Sequence, residues 1–253
     1  MFHYPNQPLS FTKVMAHSVK LHYLTLKRTI LPIFLILIVK HMATLLEQFI
    51  LNPWAQLVIE VAMWFLFFCF FSMALLAAHL AFTDRAESIR KVCKTWLSRW
   101  SSILLTVAVY VIGTYLLYAL MEFIVYLVSQ HVPAQSTLRT VTAIFCVAVL
   151  IMYVAMFAFT VPLSVLDGKL LRQSFQDSMI LTEKNRLGVI MLFVILAAIA
   201  SLVSPAATHE YLLSTYHLDV VFDFMVFCIT IPLLINVLLL LLNDSKQKAV
   251  GEI

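Results

Sequence analysis

The sequence predicts an all-α, polytopic membrane protein. It has six transmembrane helices in three parallel two-helix repeats, each repeat preceded by a cytoplasmic interfacial amphipathic helix. Three observations predict this class. Hydrophobic residues make up 62% of the chain and charged residues 12%, with a mean hydropathy of +0.97. A soluble domain holds about 45–50% apolar and about 25% charged residues. Second, all but Lys40 and Arg139 of the 17 Lys and Arg residues fall into four clusters separated by paired apolar runs. Short basic loops stay cytoplasmic during insertion, so this alternation predicts six spans with both termini in the cytoplasm. Third, one helical pattern recurs ahead of each pair of runs.

The elements follow in order along a single membrane domain, residues 1–253. The first 28 residues are polar and basic and lead into an apolar run that starts at Ile30, so a cleavable signal is not expected. Spans are placed at about 29–50, 54–82, 103–128, 139–166, 187–204 and 219–242, each near the ~20 residues that cross ~30 Å of hydrocarbon. The fifth is the shortest. The second and fourth exceed the need, so tilt or extension beyond the membrane is expected. Outer loops fall around Asn52-Pro53, at 129–138 and at 205–218, and a cytoplasmic tail at 243–253. Trp54 marks the outer rim, and Trp96 and Trp100 the inner one.

The recurring pattern sets apolar or small residues at i, i+3, i+4, i+7, i+8 and i+11. The copies are Phe11, Val14, Met15, Ser18, Val19, His22; then Ile89, Val92, Cys93, Trp96, Leu97, Trp100; then Leu171, Ser174, Phe175, Ser178, Met179, Thr182. Cations flank each stripe: Lys13 and Lys20; Arg90, Lys91 and Lys94; Arg172. Such spacing is helical, and a basic amphipathic helix beside a span lies in the interface with its apolar side toward the acyl chains. The repeat units are about 11–82, 89–166 and 171–242. A unit of two spans begins and ends on the same side, so all three copies share one orientation and inverted repeats are excluded.

Ionisable residues inside spans are costly and are candidates for function. Lys40 lies about 16 Å into the first span, near mid-membrane. Glu47 follows on nearly the same face, Glu60 and Glu122 lie toward the outer ends of spans two and three, and Arg139 begins span four. Two readings stand. In one, Lys40 pairs with Glu60 or Glu47 in a polar cluster that lines a small cavity. In the other, Lys40 snorkels and the carboxylates are rim groups wetted by headgroups.

Other features favour plain structural readings. His209, Glu210 and His217 match no standard zinc spacing, so surface histidines and no metal are expected. Asp219 and Asp223 suit a helix N-terminus. Pro232 and Asn236 mark either a broken helix or an ordinary in-span proline. Ala74, Ala77, Ala78 and Ala81, with Ala197 and Ser201, permit close helix packing inside the chain. Cys69, Cys146 and Cys228 lie in apolar runs and Cys93 in a basic segment. With no C-x-x-C, neither a disulfide framework nor a zinc site is indicated. No nucleophile elbow, Walker motif or dinucleotide fingerprint occurs, so no enzymatic activity and no cofactor are expected. The net charge of +4 is accounted for by inner loops facing anionic lipid, without a nucleic-acid partner.

From Pro162 the chain reads P-L-S-V-L-D-G-K-L-L-R-Q-S-F-Q-D-S-M-I-L-T-E-K-N-R. This resembles the YciC-like family of bacterial six-helix inner-membrane proteins. There a Pro near the inner end of span four precedes a cytoplasmic helix with S-M-x-L-T-x-x-N, matched here by Pro162, Ser178, Met179, Leu181, Thr182 and Asn185. The resemblance implies a bacterial inner membrane and a structural block of unestablished function. Similar blocks precede glycerophosphodiester phosphodiesterase domains, which implies a lipid context. The expected role is therefore non-enzymatic, in membrane or lipid organisation or in binding a partner, with anionic lipid headgroups at the basic helices. The alternative is a small-solute or lipid transporter with a polar cluster around Lys40.

Overall fold

A computed structural model describes Tyr4 and residues 9–50, 52–83, 89–132, 137–203 and 219–250. Every element formed by these residues is an α-helix. Helix α1 (Phe11–Phe49) has Pro32 in its interior. At ~1.5 Å per residue it is about 58 Å long, nearly twice the ~30 Å of a hydrocarbon core. The first stripe and the first apolar run are thus one unbroken helix, where a separate amphipathic helix was expected. Ile33, Ile36 and Leu37 directly after the proline are buried, and packing against α2 and the last helix carries the chain through it.

Helix α2 (Pro53–Phe82) starts where its chemistry directs. The Asn52 side chain accepts the Trp54 N–H at 2.9 Å, and Pro53 occupies the first turn. Helices α3 (Ile89–Ser98) and α4 (Trp100–His131) are divided at Arg99. The fourth apolar run, expected as one helix over 139–166, forms α5 (Thr137–Met156) and α6 (Thr160–Leu166), parted by a turn at 157–159. Then come α7 (Leu171–Lys184), α8 (Arg186–Val203) and α9 (Asp219–Val250). The last helix does not stop near 242. It continues to Val250 with Asp244 and Ser245 buried, so residues 243–250, expected to form a tail, are about two further turns of packed helix.

Five stretches among the described residues are long and apolar enough to cross a membrane: Phe11–Leu46, Trp54–Phe82, Trp100–His131, Thr137–Leu166 and Phe224–Ala249. The run expected as the fifth span is α8, whose 18 residues are not among these five. The outer loop expected at 205–218, with His209, Glu210 and His217, lies outside the described residues, as do the side chains of Asp219, Asp223, Ala197 and Ser201.

Helix α2 is central and packs against α1, α3, α4, α6 and α9. Its small residues let neighbours approach, with Ala74, Ala77 and Ala78 all buried. The core is concentrated at one end of the bundle, where the N-termini of α1 and α4 meet the C-termini of α2, α6 and α9. Residues 71–78 of α2, 159–165 around α6 and 235–242 of α9 are buried there. We call this the basic end, because the Lys and Arg clusters lie at it. Toward the far end the helices show large apolar side chains outward, among them Phe49, Trp54, Val58, Leu116, Phe123 and Phe145.

The three stretches that share the stripe also share a burial pattern. Val14, Val92 and Ser174 at i+3 are buried, as are Ser18, Trp96 and Ser178 at i+7. At i+8, Val19, Leu97 and Met179 are 63%, 61% and 44% exposed. The stripe, expected to face acyl chains along its length, is split: positions i+3 and i+7 pack on protein while i+8 faces out, joined in the second copy by Ile89 and Trp100 at its two ends. Trp96 shows why. Its ring is 8% exposed and its indole N–H donates to Ser72 Oγ at 2.8 Å, so the residue expected at the rim anchors α3 to α2.

Candidate functional site

The far end holds a cleft of about 710 Å³ between α2, α4 and α5. Helix periodicity builds it. On α2, Leu57, Glu60, Trp64 and Phe68 recur at spacings of three and four and share a face; on α4, Tyr115, Tyr118 and Glu122 do the same. Leu150 and Val154 of α5 close the third side. The Tyr118 hydroxyl donates to Glu122 Oε1. Tyr115 interacts with Glu60, and Tyr118 with both carboxylates, so the two acids converge on one pair of phenols. A second hollow of about 460 Å³ adjoins it along α4 and α5 and shares Tyr118, Glu122 and Leu150.

Of the four residues expected in one polar cluster, the structure brings Glu60 and Glu122 together and sets Lys40 apart. Lys40 is half-buried on α1, and its ammonium lies over the Phe227 ring of α9 at 5.4 Å from the centroid, a cation–π contact. It does not line the cleft. The side chain of Glu47 lies outside the described residues. Pro232 and Asn236 mark no broken helix, since α9 is continuous through both. Asn236 is buried instead, accepts from Thr25 Oγ1 and donates to the Ser18 carbonyl at 2.9 Å, tying α9 to α1.

The residues of the family-like stretch collect at the basic end. The turn at 157–159 frees backbone groups that need partners away from water. Ser178 accepts the Phe159 N–H at 3.1 Å and donates to the Met156 carbonyl at 3.0 Å, while Thr182 donates to the Ala155 and Met156 carbonyls at 3.3 Å. Pro162 and Leu181 are buried beside them, and Met179 faces out. Asn185 ends α7 and donates to Asp244 at 2.8 Å. Asp244 is 2% exposed and also accepts the Leu9 N–H at 2.7 Å and Lys248 at 2.7 Å. It thereby joins the start of the chain, α7 and α9.

The loop between α6 and α7 is held in the same manner. The Arg99 guanidinium donates to the Val165 and Leu166 carbonyls, capping the C-terminus of α6 where the helix dipole favours a cation. Gly168 follows at φ +66, a conformation that glycine adopts without strain. Asp167 pairs with Lys246 at 2.7 Å and Lys169 with Asp177 at 2.6 Å. At the edge of this layer Tyr4 bonds to His79 Nδ1 at 2.9 Å, and burial pushes its hydroxyl above the ordinary phenol range.

Sequence reasoning singled out Glu60 and Glu122 but missed Tyr115, Tyr118 and Asp244. The tyrosines carried a usable signal, the i, i+3, i+7 spacing of Tyr115, Tyr118 and Glu122 on one helical face. Asp244 showed only its i,i+4 spacing to Lys248, because its other partners come from segments 59 and 235 residues away. Comparison with family models, with characterised proteins and with solved structures finds no match to this chain. Among the described residues no group of three or more His, Cys, Asp or Glu side chains is placed to hold a metal.

Proposed function

We propose that the chain is a non-enzymatic, multi-pass protein of a bacterial inner membrane, with six spans in three parallel repeats and both termini cytoplasmic. Its basic end docks on the anionic inner leaflet and organises lipid there. One observation carries the reading: the same face of all three stripe helices points outward with a large apolar residue at i+8 beside exposed cations. Val19 stands by Lys13 and Lys20, Leu97 by Arg90, Lys91 and Lys94, and Met179 on the helix that bears Arg172. An apolar edge fringed by cations is suited to headgroups over acyl chains. The outward apolar side chains of the far end support a bilayer around the bundle, since so much exposed hydrocarbon is unfavourable in water. The resemblance to YciC-like proteins at Pro162, Ser178, Leu181, Thr182 and Asn185 agrees with a structural block. Against a transporter centred on Lys40 stand that residue's position outside the cleft and the side chains filling the basic end beneath it.

The test is lipid selectivity of the full chain in nanodiscs, read as enrichment of phosphatidylglycerol over phosphatidylcholine next to the protein. Each cation near the surface contributes about 1 kcal/mol, so replacing Arg90, Lys91 and Lys94 by Gln lowers the preference by about 100-fold. An unchanged preference in that variant refutes the docking. Reporter fusions at Glu87, Lys169 and Lys246 should read cytoplasmic, and those at Ala134 and Thr208 periplasmic. A cytoplasmic signal at Ala134 removes the six-span topology.

A further inference from the structure

The far-end cleft is amphipathic along its own depth. On α2, Glu60 stands near the mouth and Phe68 about 12 Å deeper; on α4, Glu122 stands near the mouth and Tyr110 about 18 Å deeper. The floor is closed where the Tyr110 ring meets Phe68 edge-on at 5.3 Å between centroids. Tyr110 is only 7% exposed, yet it lines the cleft and brings its phenol to the deep end of it. At about 710 Å³ the space is of the size that holds small molecules, ~300–1,000 Å³.

The charge of the lining selects the occupant. Glu60 and Glu122 are its ionisable acids, and no Lys, Arg or His is among the lining residues. Their phenol partners donate hydrogen bonds but bring no positive charge. Two carboxylates at the edge of a low-dielectric medium call for a cation. Trp64, Tyr115 and Tyr118 surround them with rings, whose faces attract ammonium groups. An anion is repelled here, and a plain hydrocarbon chain fills the depth while leaving both acids uncompensated. We propose that the cleft binds an amphiphilic ammonium, with the cationic head between Glu60 and Glu122 and the apolar body running down past Trp64 and Phe68 to Tyr110. The site rests on the membrane reading above for the medium around it, but not on the docking of the basic end.

The experiment uses the full chain in phosphatidylglycerol nanodiscs, titrated calorimetrically with decyltrimethylammonium and, separately, with decanol as the uncharged probe of equal chain length. Empty discs give the background. Saturable binding of one ammonium per chain is expected, with no saturable decanol signal. Glu60→Gln lowers the affinity about tenfold, and the double change with Glu122→Gln abolishes it. Equal binding of the two probes overturns the proposal, as does a double variant that binds like the original chain. The probe comparison needs no variant, so refutation does not depend on a substitution folding. Exchanging half the lipid for phosphatidylethanolamine separates the sources: a weakened probe identifies a lipid amine as the occupant, and an unchanged one a soluble amphiphile. The Arg90, Lys91 and Lys94 variant should keep ammonium binding while losing its lipid preference, so the cleft and the docking surface fail independently.

Discussion

Ser178→Ala offers the sharpest quantitative test of the basic end. Ser178 and Phe159 are both fully buried, and one hydroxyl serves two backbone groups of the turn between α5 and α6. The substitution removes the bond to the Phe159 N–H and strands that donor, at about 1–3 kcal/mol. The Met156 carbonyl fares better, because Thr182 still reaches it at 3.3 Å. A total near 2–3 kcal/mol follows, which for a chain of this size lowers Tm by roughly 5–10 °C. Thr182→Val keeps the volume and loses only bonds of 3.3 Å, so about 1 kcal/mol is expected. The two changes together should cost more than their sum, since the Met156 carbonyl then loses both donors. Thermal unfolding in mild detergent, followed with a thiol-reactive dye, reports the exposure of the buried Cys69 and Cys146. Ser178→Ala within about 0.5 kcal/mol of the original chain, or costing less than Thr182→Val, would refute the argument.

Four further outcomes are expected. Trp96→Phe keeps a ring in place but drops the bond to Ser72, leaving that hydroxyl its own bond to the Cys69 carbonyl; about 1–2 kcal/mol is lost in the same assay, and a neutral result contradicts the anchoring of α3. Gly168→Ala costs about 1–2 kcal/mol from the backbone alone, because the nearest atom to an added Cβ is Arg99 Nε at 3.7 Å, an ordinary contact; a loss above about 4 kcal/mol shows steric conflict instead. Lys40→Met and Glu60→Gln should add within about 0.5 kcal/mol in a double-mutant cycle, since one residue lies over Phe227 and the other with Tyr115; a larger coupling restores the pair. Burial raises the Tyr4 hydroxyl, so the folded chain holds that proton more tightly than the unfolded one. Its stabilising effect is intact below the ordinary value of 10 and falls as pH rises past it, and Tyr4→Phe should reduce the fall in Tm above that pH.

How much was legible in the sequence depended on the range of the interaction. Apolar runs fixed where helices form to within a few residues, because burial of the backbone in hydrocarbon leaves the helix as the local solution. Breaks were harder. Arg99 and the turn at 157–159 contain no Gly or Pro, and the chain departs from the helix there because distant groups take over the freed bonds. The 157–159 turn is satisfied by Ser178 and Thr182 some twenty residues on, and the C-terminus of α6 by Arg99 from 66 residues earlier. Glu60 and Glu122 were visible as charges in apolar runs. Their separation from Lys40 was not, since composition gives depth along a helix but not which neighbour the helix faces. The end of α9 is hidden for a related reason: Asn243, Asp244, Ser245 and Lys246 have the composition of a solvated tail, and it is Leu9, Asn185 and Asp167, from distant segments, that pair with them and hold them in the helix bundle.

The two ends of the bundle place opposite demands on the same helices. At the basic end Ser178, Thr182, Asn185, Asp244 and Arg99 are matched by backbone or charged partners and tie the helices together, while the buried hydroxyls of Thr106, Thr160 and Ser245 find no hydrogen-bond partner among the described residues. A helix that supplies such bonds must press its stripe against the protein. In all three stretches the i+3 and i+7 positions turn inward, and Val19, Leu97 and Met179, with Ile89 and Trp100 of the second stretch, remain for contact with a membrane surface. At the far end the acids of α2 and α4 meet phenols rather than cations, and the aromatic side chains beneath them hold the helices apart at the mouth while Phe68 and Tyr110 join them at the floor. Rigidity at one end therefore lets the other stay open. Loosening the floor by Phe68→Ala should weaken ammonium binding without altering the lipid preference of the basic end, whereas Ser178→Ala, which weakens the closed end itself, should lower both together.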